Sequence, residues 1–111
     1  MALIRDSELL RLLREDRLDE FNELASQTPP ELENADLRMM DLRRAALAKA
    51  NLRGAYLRNA DLRGVDLSDA DLTGASIHDA RISGCFFPEG LSAEEISLSV
   101  TQGIRMRPRR A

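Results

Sequence analysis

The sequence predicts a mainly β solenoid of about three coils, set between an N-terminal helical cap and a short C-terminal helix. Three observations predict it. An aliphatic residue returns every fifth position from Leu32 to Ile82, a small residue stands two positions before most of them, and helical periodicity is confined to the two flanks. On that basis residues 1–29 form the helical cap, residues 30–89 the solenoid, and residues 90–111 a helix followed by a basic tail.

The N-terminal zone shows Leu9, Leu10, Leu12 and Leu13 at helical spacings, continued by Leu18, Phe21, Leu24 and Ala25. Two short helices are predicted, over about 7–14 and 17–26, with Ser7 and Asp16 as N-caps and Thr28-Pro29-Pro30 as the stop.

The middle zone repeats with period five. Leu37, Leu42, Leu47, Leu52, Leu57, Leu62, Leu67, Leu72, Ile77 and Ile82 keep one phase, and Ala35, Ala45, Ala50, Ala55, Ala60, Ala70, Ala75 and Ala80 keep another. Met40, Val65 and Cys85 fill the small slot elsewhere, and Pro30 and Phe87 extend the series at its two ends. On an α-helix five residues advance about 500°, so the leucines would spiral around the cylinder. In a continuous strand an odd spacing would send alternate leucines to opposite faces. A chain that runs extended for about three residues and then bends about 90° buries them all. Four units then close a coil, and neighbouring coils stack about 4.8 Å apart. Gly54, Gly64, Gly74 and Gly84 fall in the bend, as do Asn59, Asp69 and Asp79.

In the C-terminal zone Ser92-Ala93-Glu94-Glu95 has capping-box form, and a helix over about 93–102 with Gly103 as its stop is predicted. The alternation of Ile96, Leu98 and Val100 would suit a strand instead. Arg105-Met106-Arg107-Pro108-Arg109-Arg110 reads as a mobile basic tail.

The units Ala50-Asn51-Leu52-Arg53-Gly54, Ala60-Asp61-Leu62-Arg63-Gly64 and Ala70-Asp71-Leu72-Thr73-Gly74 resemble the A-(D/N)-L-x-x signature of pentapeptide-repeat proteins. The resemblance implies a right-handed quadrilateral β-helix and no particular activity. Well-understood members of that family resemble DNA and engage DNA gyrase, as long, strongly acidic dimeric rods. The repeat zone here is short and holds ten acids against eight bases, which weakens a DNA-mimic reading.

The whole chain carries 19 acids and 16 bases, a net charge of −3, so its total charge does not indicate nucleic acid or an anionic membrane. No long apolar segment suggests a signal peptide or a membrane span, and the lone Cys85 suits a reducing compartment, so a cytoplasmic protein is expected. No nucleophile–base pair, metal-ligand cluster or phosphate loop is evident, so no catalytic residue, metal or cofactor is expected. His78 sits in an outward slot and Cys85 in an inward one.

Stacking every twenty residues sorts outward positions into columns. Arg38, Arg58 and His78 share one, beside Asp36, Tyr56 and Ser76; Arg43 and Arg63 stand beside Asp41 and Asp61. Such columns most simply form solvated salt-bridge ladders. A further face holds Ala46, Ala48, Asp66, Ser68, Phe86 and Pro88, with the least charge; it either receives a terminal helix or meets another subunit. Leu9, Leu13 and Leu18 are expected to plug the first end of the rod, and Phe86, Phe87 and Ile96 the second. The expected function is protein interaction or assembly, with self-association. The residues predicted to contact a partner are Ala46, Ala48, Phe86, Arg38, Arg58 and Tyr56. A gyrase-directed DNA mimic, and weak nucleic-acid or membrane contact through the basic tail, are the alternatives.

Overall fold

The computed structural model describes residues 7–109; Met1 to Asp6 and Arg110 of the basic tail lie outside the described residues. Three helices form: α1 (Glu8–Arg14), α2 (Leu18–Gln27) and α3 (Ala93–Gln102). Ser7 caps α1, its hydroxyl accepting from the Leu10 N–H. Asp16 is not the N-cap of α2. It takes the left-handed conformation (φ 57°) in the turn between the helices, and Arg17 stands at the cap without a side-chain hydrogen bond. Ser92 caps α3 by accepting from the Glu95 N–H, and Gly103 closes it at φ 73°. Ile96, Leu98 and Val100 are therefore helical, not a strand.

Between the helices the chain returns on itself every twenty residues. Parallel bridges join Glu31 to Asn51 and Asn51 to Asp71, Tyr56 to Asp36 and Ser76, Asp61 to Asp41 and Arg81, and Asp66 to Phe86. Each unit closes the same way. The N–H of the next small residue donates to the carbonyl of the aliphatic residue three back, from Ala35 on Leu32 through Cys85 on Ile82. Gly54, Gly64, Gly74, Gly84, Asn34, Met39, Asn59 and Asp79 adopt positive φ in that turn, whereas Asp69 does not.

The mainly β assignment does not hold. Of the described residues 27 are helical and 12 lie in bridges, and each bridge is isolated, so no sheet and no barrel forms. The cause is the length of the unit. The turn occupies two of its five residues, so pairing stops after one residue and resumes only past the next turn. Turns, not strands, dominate the repeat.

The aliphatic ladder fills the interior. Leu37, Leu42, Leu47, Leu52, Leu57, Leu62, Leu67, Leu72 and Ile77 are at most 1% exposed, while Ile82, in the uppermost level, is only partly buried. Removing these side chains from water is the dominant stabilising term, about 1.5–3 kcal/mol for each fully buried Leu.

The two ends are closed partly as expected: Leu13 is buried, and Leu9, Leu18, Phe87 and Ile96 pack partly buried against the core, whereas Phe86 does not. At the first end Leu10, Leu12, Leu13 and Phe21 are buried, and Leu9 and Leu18 only partly so. Asn22 of α2 ties the cap to the lowest coil: its amide donates to the Arg44 carbonyl (2.9 Å) and accepts from the Ala46 N–H (2.8 Å). At the second end Phe86 points outward, and Met106 and Leu91 are buried instead. Residues 105–109 are held, not loose. Met106 donates to the Ala75 carbonyl and accepts from the Gly74 N–H, and Arg109 donates to the Gly90 carbonyl. The Arg105 guanidinium donates to the Gly74 carbonyl, and the Arg107 N–H donates to Glu95 Oε1. Ser99 completes the lid, its hydroxyl accepting from the Ile77 N–H and donating to the Ile104 carbonyl. A terminal coil presents unpaired backbone groups, and this strap supplies partners for them.

Candidate functional site

Each outward column is built by the same local device. An Asp or Asn leads the unit, and its carboxylate or amide oxygen accepts the backbone N–H two residues later, at Arg38, Arg43, Arg53, Arg63, Ser68 and Thr73. Where the leading residue is Asp and the later one Arg, the Arg side chain folds back on the same carboxylate. Arg38 holds Asp36 with two contacts of 2.8 Å, Arg43 holds Asp41 at 2.9 and 2.7 Å, and Arg63 holds Asp61 at 2.9 and 2.7 Å. The ladder also crosses levels, from Arg43 to Asp61 (3.4 Å) and from Arg53 to Asp71 (3.0 Å). Arg43 holds the Asp41 carboxyl well below its ordinary value through these hydrogen bonds. Most of the arginine array is thus internally engaged.

Within the first column Arg38 stacks over the Tyr56 ring, 5.5 Å from its centroid, while gripping Asp36. Arg58 is exposed, and among the described residues its guanidinium has no hydrogen bond or ion pair. The top of the column is covered by the end of α3. Ser76 is buried and donates to the Gly103 carbonyl, and a Cβ on Gly103 would stand 3.1 Å from His78 Cγ. His78 is therefore partly enclosed, with Nε2 3.6 Å from Asp79.

The low-charge face is covered only at its base, where Asn22 meets the Ala46 backbone. Ala46, Asp66 and Ser68 are exposed, Ala48 and Pro88 half-buried, and Phe86 is 65% exposed. Neither terminal helix shields Phe86. Among the described residues, Met39 and Leu24 are the other large exposed apolar side chains, 78% and 41% exposed. Leu24 helps form a groove of ≈410 Å³ between α1 and α2, which a reading of the repeat alone does not find; its signal is Leu24 on the outer edge of the helical stripe, among acids.

Cys85 is half-buried, and burial together with the nearby Asp66 charge pushes its thiol up to about 11, away from nucleophilic thiolate. Among the described residues no group of three or more His, Cys, Asp or Glu is placed to hold a metal ion, and no helix is long and apolar enough to cross a membrane.

A family model for pentapeptide repeats matches eight copies, over residues 31–64 and 50–87, which together span half of the chain. Neither a curated protein nor a solved structure matches it. The twenty-residue return of the coils and this match point the same way: the chain belongs to the pentapeptide-repeat family.

Proposed function

We propose that the protein is a non-catalytic interaction and assembly module that self-associates through its low-charge face, with Phe86 at the centre of the contact. The observation that carries this reading is an aromatic side chain 65% exposed on the face with the least charge, which it shares with Ala46, Ala48, Asp66, Ser68 and Pro88. An exposed phenylalanine is the residue type that anchors protein contacts, and the one charged group beside it, Asp66 on the level below, already accepts the Ser68 N–H. Arg58, with Tyr56 and Arg38, offers a second contact suited to a carboxylate or phosphate group on a partner. The DNA-mimic alternative fits less well, because Asp36, Asp41 and Asp61 are neutralised by their own arginines.

Light scattering across a concentration series at ~1 M salt, where contacts between exposed charges are screened, tests the reading. The intact protein is expected at twice its 12.4 kDa mass or more, and Phe86→Glu and Ala48→Glu to shift it toward monomer. Phe86 contributes little to the interior, so Phe86→Glu should keep its circular dichroism. A folded protein that stays monomeric at high concentration overturns the proposal.

A further inference from the structure

The groove rim at one pole of the rod and the terminal strap at the other carry opposite charge on surfaces that differ in shape, although Glu89, Glu94 and Glu95 balance the three strap arginines across the second pole as a whole. At the first pole the groove between α1 and α2 is lined by Leu12 and Leu24 and rimmed by Glu8, Asp19, Glu20 and Glu23. No residue of the coils lines it, so it opens away from the rod. Glu20 is engaged by Arg17 at 2.6 Å, but Glu8 has only a 4.0 Å contact with Arg11, and Asp19 has no ion pair among the described residues. Residues 7–29 hold six acids and three bases, a net of −3.

At the second pole the strap across the last coil presents Arg107, Pro108 and Arg109, all exposed. Their backbone is fixed by the Arg107 contact with Glu95 (2.8 Å) and the Arg109 contact with Gly90 (2.6 Å), while among the described residues neither guanidinium forms an ion pair. A pre-ordered basic segment loses little freedom on docking. Coils pair from the lowest level to the middle one and from there to the highest, with Asn22 of the cap on the lowest and Met106 of the strap on the highest, so the two surfaces belong to opposite ends of the stack.

We propose that the α1–α2 groove receives residues 107–109 of a second copy, acidic rim to basic strap. This contact does not depend on the Phe86 face. It is heterologous: each molecule keeps one free groove and one free strap, so association continues into chains instead of closing. It is also electrostatic, and so weakens as salt rises.

The test uses the full chain carrying Phe86→Glu, which removes the side contact. At low salt its average mass should rise with concentration without a plateau, and at ~1 M salt, where the Debye length is ~3 Å, it should return to monomer. Asp19→Asn/Glu23→Gln and, separately, Arg107→Gln/Arg109→Gln should each abolish the growth. The strap substitutions leave the backbone hydrogen bonds of Arg107 and Arg109 in place, so folding is preserved. Mixed in equal amounts, the two variants should form a dimer and stop there, since one supplies an intact strap and the other an intact groove. A parent that is monomeric at low salt, a variant that still grows, or a mixture of folded variants that stays monomeric or grows beyond dimers would each overturn the proposal. Failure of the side-face reading shows differently, as salt-independent association that Phe86→Glu leaves unchanged.

Discussion

Gly54 and Gly64 occupy the same slot of the repeat with nearly the same backbone, φ 67° and 74°, yet their surroundings differ. A Cβ on Gly54 would collide with Asn34 Oδ1, while one on Gly64 meets nothing within 4 Å. Gly64→Ala should therefore cost only the left-handed conformation, about 1–2 kcal/mol, and Gly54→Ala measurably more, as read by denaturant unfolding. Equal losses would mean that Asn34 moves aside without cost. Cys85 yields a pH prediction. Its thiol titrates at about 11 against an ordinary 9.0, because burial disfavours the thiolate and Asp66 adds to this. The folded state thus holds its proton where the unfolded chain has lost it, so this contribution is present below about pH 9 and disappears as pH rises through 11. Alkylation of native Cys85 at pH 8 should be far slower than that of the unfolded chain; equal rates would contradict the burial. Residue type in the core slots was legible because Leu, Ile and Ala recur without a slip. Sign of φ in the turn was not: Met39 is left-handed and Asp69 is not, which depends on how each turn meets the level beside it.

The helices were readable because capping is local. Ser7 and Ser92 accept the N–H three residues on, and Gly103 ends α3, each within a few residues of sequence. Asp16 misled because an Asp just before an apolar stripe reads as a cap, whereas it takes the left-handed conformation in the turn and Arg17 stands at the helix start. The strap was hidden for a different reason. Four arginines in six residues read as a solvated tail, and its one apolar residue, Met106, finds a burial site only once the last coil exists. Met106 is 0% exposed, so Met106→Ala should lower stability by about 2–5 kcal/mol. Hydrogen exchange should then speed up at Gly74 and Asp79, whose N–H groups the lid accepts, more than at Leu52 in the middle level. Uniform loss of protection would mean that the strap is not a separate lid.

For the whole molecule, the twenty-residue return was legible and the balance of secondary structure was not. A five-residue period dictates bends but does not reveal that pairing shrinks to single bridges, because that depends on how much of each unit the turn consumes. The candidate surfaces divide similarly. Phe86, Ala48 and the arginine columns follow from phase alone, whereas the Arg38 grip on Asp36 and the α1–α2 groove arise from side-chain placement that phase does not encode. These surfaces exist only if residues twenty apart are neighbours.

Engineered cysteines test that register directly. In a Cys85→Ala background, Arg43→Cys/Arg63→Cys places two thiols on adjacent levels of one column, about 4.8 Å apart between backbones, within the span a disulfide bridges. Mild oxidation should link this pair rapidly and within one molecule, while Arg43→Cys/Arg58→Cys, on neighbouring faces, should stay reduced. Efficient linkage of the second pair, or none of the first, would contradict the stacked coils.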